Sequence, residues 1–280
     1  PYWVAGQLPA AAAGTHQVVV KNGGRGVACA PISVVEKPRR RKKSAKAWKT
    51  ERNWTRDMEN LYSAWLEILF DAPEGTSWRP LHQVTRDATR NLLHNYLGLD
   101  EDKDARGGLK LTPDCADNPF YLRAYFSWKL GLPFGHHKCT RGNRKKGPEC
   151  TTWVSNEAPR NKGSRVGSFY RFLRRVKCDV HAASARSLLD SEATDLYPVE
   201  LKRGSLRPGA VFADPFGHTL MLVKWLPQTK DSPGVLLAAD AQPDGTVAIK
   251  RFWRGNFLFT TKDVIGGPGF KAFRPIARRH

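Results

Sequence analysis

The sequence predicts an α+β fold, with helices packed on one face of an antiparallel sheet and an extension at the N-terminal end. Three observations predict it. Apolar residues recur at helical spacing between residues 52 and 177. After Cys178 the period shortens to that of brief β-strands separated by turn residues. The strand–helix alternation of a nucleotide-binding sheet is missing, as are the glycine-rich loops GxGxxG and GxxxxGK, so phosphate-cradle enzymes drop out.

Residues 1–48 read as an appendage. "NGGRG" is flexible, "HQVVV" and "APISVVEKP" have the composition of two short strands, and "KPRRRKKSAK" at 37–46 reads as a solvated basic linker. Residues 49–110 read as a helical extension. In "RNWTRDMENLYSAWLEILFDAP" one stripe holds Trp54, Met58, Leu61, Trp65 and Leu69. "LHQVTRDATRNLLHNYLG" repeats the pattern through Leu81, Val84, Ala88, Leu92 and Tyr96, with Gly98 as its stop. The third domain spans 111–280. It opens on an amphipathic helix in "LTPDCADNPFYLRAYFSWKLGLPF", and a fourth helix follows with Val166, Phe169, Phe172, Leu173 and Val176 inward. "AVFAD", "TLMLVKW", "GVLLAADA" and "TVAIKRFW" then read as strands, with the turn "PDG" at 243–245. The aromatic tail "KRFWRGNFLF" reads as core and edge packing.

The chain has 46 Lys and Arg against 26 Asp and Glu, a formal charge of +20, and a field of that sign favours polyanions. Nucleic acid, an acidic membrane surface and an anionic cell-wall polymer all qualify. The basic residues are dispersed rather than gathered in one stripe, and no nucleic-acid motif with interleaved aromatics stands out, so nucleic acid is not favoured. No apolar run approaches the roughly 18 residues a membrane span needs. The chain begins at Pro1, which reads as processing or trimming, so a signal peptide would lie outside it.

Five cysteines occur, Cys29, Cys115, Cys139, Cys150 and Cys178, without CxxC or zinc-type Cys/His spacing. Cys139 and Cys150 bracket a basic loop that a bridge could close, and an odd count in an exported protein leaves one free thiol.

A cysteine nucleophile needs exposure, a group that favours thiolate, and an oriented base. Cys115 stands near a helix N-terminus, whose unpaired N–H groups favour an anion. Two caps are open: Asp114 with Asp117 in a capping-box arrangement, or Asn118 with Pro119 as first helical residue. His218 is the base candidate because it opens an apolar strand after a Pro-Gly approach. His16, His82, His94, His136, His137, His181 and His280 occupy other contexts. Asp240, near the end of the next strand, is placed to orient the ring and stabilise imidazolium. Taken singly, each residue has a plainer reading: a buried small hydrophobe, a satisfied core histidine and a turn former. Their joint order and element types carry the catalytic expectation.

That order resembles the papain-like cysteine enzymes, and most closely the NlpC-type cell-wall peptidases. "DCADNPF" has the aspartate–cysteine start of their helix, "LRPGAVF" their Pro-Gly strand, "HTLMLVKW" their histidine strand, and "ADAQPDGTV" the third residue before a turn. The likeness covers about residues 111–260. Asp240 stands where NlpC-type enzymes usually carry histidine, and the stretch between Cys115 and His218 is long. An aspartate there is more similar to transglutaminase-like proteins. The resemblance implies a papain-like core and a secreted hydrolase, a cysteine peptidase or amidase with Cys115, His218 and Asp240 as catalytic residues and no cofactor. With the positive charge, it implies peptidoglycan as substrate. The alternatives are transglutaminase-like acyl transfer and a non-catalytic polyanion-binding module.

Overall fold

The computed structural model describes residues 11–36, 46–159, 163–186, 194–253 and 267–276. The chain divides into two compact units, Pro1–Lys43 and Ser44–His280. In the first, β1 (Gly14–Asn22) and β2 (Arg25–Val34) form an antiparallel hairpin. Its turn is Gly23-Gly24, with φ of 56° and 83°, the left-handed pair that a two-residue hairpin loop needs. Most of the basic run at 37–46, namely 37–45, lies outside the described residues.

The second unit is a mixed α/β body around a seven-stranded antiparallel sheet. Along the chain come α1 (Arg56–Leu69), β3 (Ser77–Trp78), α2 (His82–Thr85), α3 (Asp117–Leu130), β4 (Gly135–Cys139), β5 (Cys150–Ser155), α4 (Arg165–Asp179) and α5 (Ala182–Ala185). There follow β6 (Leu196–Pro198), β7 (Val211–Ala213), β8 (Thr219–Leu226), β9 (Val235–Ala241), β10 (Val247–Arg251) and β11 (Gly269–Phe273). The sheet order is β3-β10-β9-β8-β7-β11-β6, and β4 and β5 pair separately. Alternation along the strands buries both faces. Met221, Val223, Leu237, Ala239 and Ile249 join the helices in the larger apolar cluster, whereas Leu222, Leu236, Ala238, Phe212 and Phe252 form a smaller one.

α1 starts at Thr55, whose hydroxyl accepts from the Met58 N–H at 3.2 Å. Tyr62 and Trp65 of α1 pack on Phe126 of α3, with centroids 5.1 and 5.5 Å apart. Residues 49–110, expected as a helical extension, thus supply α1 to the same core as α3. The stripe of α1 holds at Trp65 and Leu69, but Leu61 is exposed.

α3 departs from the expected amphipathic pattern: every residue from Asp117 to Leu130 is buried. It is the central helix of the body, and a helix enclosed on all sides needs no polar face. Its buried charges are matched instead. The Lys129 ammonium meets Glu101 at 2.5 Å and also Asp102, and Arg123 grips Glu59 through both terminal nitrogens. α3 ends at Gly131, φ 69°, whose carbonyl accepts from the Glu51 and Arg52 N–H groups.

The helix expected over 81–98 is corrected: only α2 forms, and the rest is turns. Leu81 and Val84 are buried, but Leu92 and Tyr96 are exposed. The physical reason is side-chain capture of the backbone. Asn91 accepts from the Leu93 N–H, Asp102 from Asn95, and Glu101 from both Leu97 and Leu99. Those carboxylates are the partners of Lys129, so the buried ion cluster organises the segment at the expense of a helix. α4 matches its expected inward face: Val166, Phe169, Phe172, Leu173 and Val176 are all buried. Strands β3, β4, β5, β6 and β11 lie outside the segments expected as strands. In the aromatic tail Phe252 is buried and Trp253 exposed, and residues 254–260 lie outside the described residues.

Candidate active site

The Pro-Gly approach to β7 has a steric basis. Gly209 has φ 97°, and a Cβ there would stand 2.8 Å from the Tyr62 ring. The Pro208 carbonyl accepts from the Ser63 hydroxyl at 2.8 Å, so the segment is docked against α1 before the sheet begins. β7 and β8 are then joined by a tight turn. The Asp214 N–H donates to the His218 carbonyl at 2.9 Å, and the Asp214 carboxylate accepts from the Phe216 N–H at 2.7 Å. Gly217, φ 107°, completes the reversal, which presents His218 immediately before β8.

β9 lies next to β8, with Met221 opposite Ala239, so the strand end carrying Asp240 adjoins the strand start carrying His218. The His218 Nε2 lies 2.6 Å from Asp240 Oδ1. Asp240 is 2% exposed and also accepts from the Gln242 side-chain amide at 2.8 Å, while its other oxygen pairs with the Lys250 ammonium. Burial pushes the Asp240 carboxyl up, but the bonds from His218 and Lys250 outweigh it and hold it below its ordinary range.

Cys115 lies beside the same ring, close enough to act on the imidazole. With Nε2 on Asp240, Nδ1 is the ring nitrogen left for the sulfur. The Asp240 hydrogen bond first, and the neighbouring Cys115 next, push the imidazole up to about 10. That value makes His218 an imidazolium at neutral pH, with its Nε2 proton directed at the carboxylate. Cys115, His218 and Asp240, all expected from the sequence, come together in that order.

The cap of α3 resolves towards Asp114. Its Oδ1 accepts from the Ala116 and Asp117 N–H groups at 3.0 and 3.2 Å, and its carbonyl accepts from Asn118 N–H at 3.0 Å. Asp117 answers weakly, accepting from the Asp114 N–H at 3.4 Å. These bonds extend the helical turn back from Asp117 to Cys115, so the sulfur sits in the first turn, and Pro119 leaves the Cys115 carbonyl without a helical donor. The Cys115 N–H makes no hydrogen bond among the described residues. The two aspartates oppose a nearby anion less than their formal charges imply. Burial, then the neighbouring Asp114, pushes the Asp117 carboxyl up to about 7.

No protein-family model, curated protein or solved structure matches the chain. The site must therefore be read from its own chemistry. Cys29 and Cys178 are also free, while Cys139 and Cys150 form a disulfide. Among the described residues, Cys115 is the free thiol that lies beside a histidine itself held by a carboxylate. His218 is 35% exposed in its side chain and Cys115 is half-buried, so the reacting groups open to solvent. Among the described residues no group of three or more His, Cys, Asp or Glu is arranged to hold a metal ion, and no helix is long and apolar enough to cross a membrane.

Lys250 and Gln242 were missed in the sequence, although a signal existed. Counting outward from the "PDG" turn pairs Ala241 with Val247 and Asp240 with Ala248. Lys250 is then diagonal to Asp240 on the same face, within reach of a long side chain.

Proposed function

We propose that the protein is a cysteine amidase or peptidase with a papain-like core, acting on peptide bonds of a cell-wall peptidoglycan through an acyl-enzyme. The observation that carries this reading is the His218 ring, held by Asp240 at 2.6 Å with Cys115 beside it.

The chemistry follows from that arrangement. With His218 holding the proton, the Cys115 sulfur attacks the amide carbonyl as thiolate, forming a C–S bond as the carbonyl π pair moves to oxygen. The unpaired Cys115 N–H is a donor for that oxyanion at the helix start. Collapse breaks the C–N bond, and Nδ1 of His218 delivers its proton to the departing amine. His218, now neutral, takes a proton from water, whose oxygen attacks the thioester and releases the carboxylate and the thiol sulfur. Asp240 holds the tautomer and stabilises imidazolium throughout. Lys250 balances the Asp240 charge when His218 is neutral.

The choice of substrate rests on the NlpC likeness, the formal charge of +20 and the open setting of the thiol. Such a site accepts an extended polymer more readily than a small molecule needing enclosure. Export follows from that substrate. Incubation with peptidoglycan fragments, read by mass spectrometry, should give cleaved stem peptides with the wild type and none with Cys115→Ala.

A second reading is favoured by one observation, the aspartate at the third position: transglutaminase-like acyl transfer, in which an amine replaces water as acceptor. Incorporation of a primary amine in preference to hydrolysis would select it.

A further inference from the structure

The basic residues are dispersed along the chain, but the fold gathers one group of them beside the triad. β4 and α4 are joined through His136, whose Nε2 lies 3.0 Å from Asp179 Oδ2 and whose ring packs on Phe172 at 6.0 Å. The loop that continues β4, residues 140–149, is thereby held near the C-terminal end of α4. Four of its ten residues are cationic, Arg141, Arg144, Lys145 and Lys146. Its one carboxylate, Glu149, is held by Lys146 at 2.7 Å.

This loop is ordered by its own bonds. The Cys139–Cys150 disulfide closes its base. Above it, the Thr140 N–H donates to the Glu149 carbonyl at 2.7 Å, and the Glu149 N–H donates to the Thr140 hydroxyl at 3.0 Å. Nearer the tip, the Asn143 side chain accepts from the Lys145 and Lys146 N–H groups at 2.8 and 3.0 Å. Gly142 has φ 68°, and a Cβ there would stand 2.8 Å from the Pro148 nitrogen, so the turn needs glycine. Arg141, Arg144 and Lys145 are exposed and form no salt bridge among the described residues.

Two elements bring this charge to the nucleophile. Burial first, and the Arg141 guanidinium next, hold the His181 ring below its ordinary range, while Asp114 acts on it in the opposite sense. Arg141 and the residue before Cys115 thus share a neighbour. From α4, the Lys177 ammonium donates to the Thr112 carbonyl at 2.9 Å, three residues before Cys115. Arg174, one turn earlier on the same exposed face, extends the charge along the helix. The nearby acids are engaged: Asp179 by His136 and Arg175, and Asp114 by the Ala116 and Asp117 N–H groups.

We propose that Arg141, Arg144 and Lys145 on the disulfide-closed loop, with Arg174 and Lys177 on α4, form the docking surface for a carboxylate-bearing stretch of the peptide polymer whose bond Cys115 attacks. The inference deepens the amidase reading and rests on it for the identity of the partner. Carboxylates spaced along a chain match a row of guanidinium and ammonium groups, and a loop already ordered loses little entropy on binding.

The test uses Cys115→Ala, which lacks the nucleophile, and reads the binding of fluorescein-labelled poly-L-glutamate by anisotropy. Affinity should fall about tenfold or more between about 50 and about 200 mM NaCl. Adding Arg141→Ser, Arg144→Ser and Lys145→Ser together should weaken binding about tenfold or more at the lower salt. Lys202, Arg203 and Lys230 are exposed, before β7 and after β8, at the strand ends remote from His218. Replacing those three by Ser removes the same charge and should change affinity less than about twofold. Cys139→Ser with Cys150→Ser should lose about threefold or more, because the loop must then be ordered on binding. No binding of polyglutamate, or equal losses in the two triple variants, would overturn the surface. Tighter binding of an oligothymidylate of equal charge, abolished by the loop variant, would assign the surface to nucleic acid and overturn the proposed partner. Absence of preferential iodoacetamide labelling at Cys115 in the wild type would sink the amidase reading, whereas the polyglutamate outcomes judge the docking surface alone.

Discussion

His218 Nε2 and Asp240 Oδ1 stand 2.6 Å apart, with the carboxylate 2% exposed and Lys250 on its second oxygen. A buried carboxylate in that position makes the imidazole a strong proton holder. The neighbouring cysteine is thereby given a partner that remains charged at neutral pH.

Removing that carboxylate tests the relationship. Asp240→Asn should lower the rate of the proposed hydrolysis by about 10³-fold or more, with Cys115 still present. The stability contributed by the pair has a defined sign. The folded value of His218, about 10, lies above its ordinary 6.5. The contribution is thus complete below about 6.5 and lost as pH rises through about 10. Urea unfolding across that window should show the gap between wild type and Asp240→Asn closing. A gap that widens with pH would contradict the assignment.

The three free thiols should differ in reactivity. Cys29 and Cys178 are exposed, without a histidine partner among the described residues, and ordinary thiols are mostly protonated at pH 6. At pH 6, iodoacetamide should therefore modify Cys115 first, as read by peptide mapping. In His218→Ala that preference should vanish. Faster labelling of Cys29 or Cys178 in the wild type would remove Cys115 from consideration as nucleophile.

Asp117 should make stability sensitive to pH with the same sign but in a lower range. Its folded value of about 7 exceeds the ordinary 3.8, so its contribution is greatest below 3.8 and declines as pH rises through about 7. Asp117→Asn should melt close to the wild type at pH 4 and above it at pH 8. Thermal unfolding at both pH values reads the difference.

The Lys129 cluster should respond to truncation of its cation. Lys129→Met leaves Glu101 and Asp102 buried without their ammonium and should cost about 3–5 kcal/mol in urea unfolding. Adding Glu101→Gln should recover part of the loss. A neutral effect of Lys129→Met alone would show that solvent reaches the cluster.

Much of the site was legible because its determinants are local. A cysteine beside a helix start, a histidine opening a strand after Pro-Gly, and an aspartate before "PDG" are short-range signals, each with a mechanism. The α4 stripe and strands β7 to β10 are legible for the same reason, since period 3.6 and period 2 are written into neighbouring residues. The helix expected at 81–98 failed because Glu101 and Asp102, from outside the periodic window, and Asn91, within it, capture its backbone.

By itself, then, the sequence determined helices α1, α3 and α4, strands β7 to β10, the Asp114 and Asp117 cap as one of two options, and the identities of Cys115, His218 and Asp240. Tertiary structure decided that α3 is enclosed on all sides, that Lys250 shares Asp240 with His218, and that His137 and Trp153 face a cavity. The physical reason is range. Backbone periodicity and capping act within a few residues, whereas burial and ion pairing depend on which distant segments the sheet brings side by side.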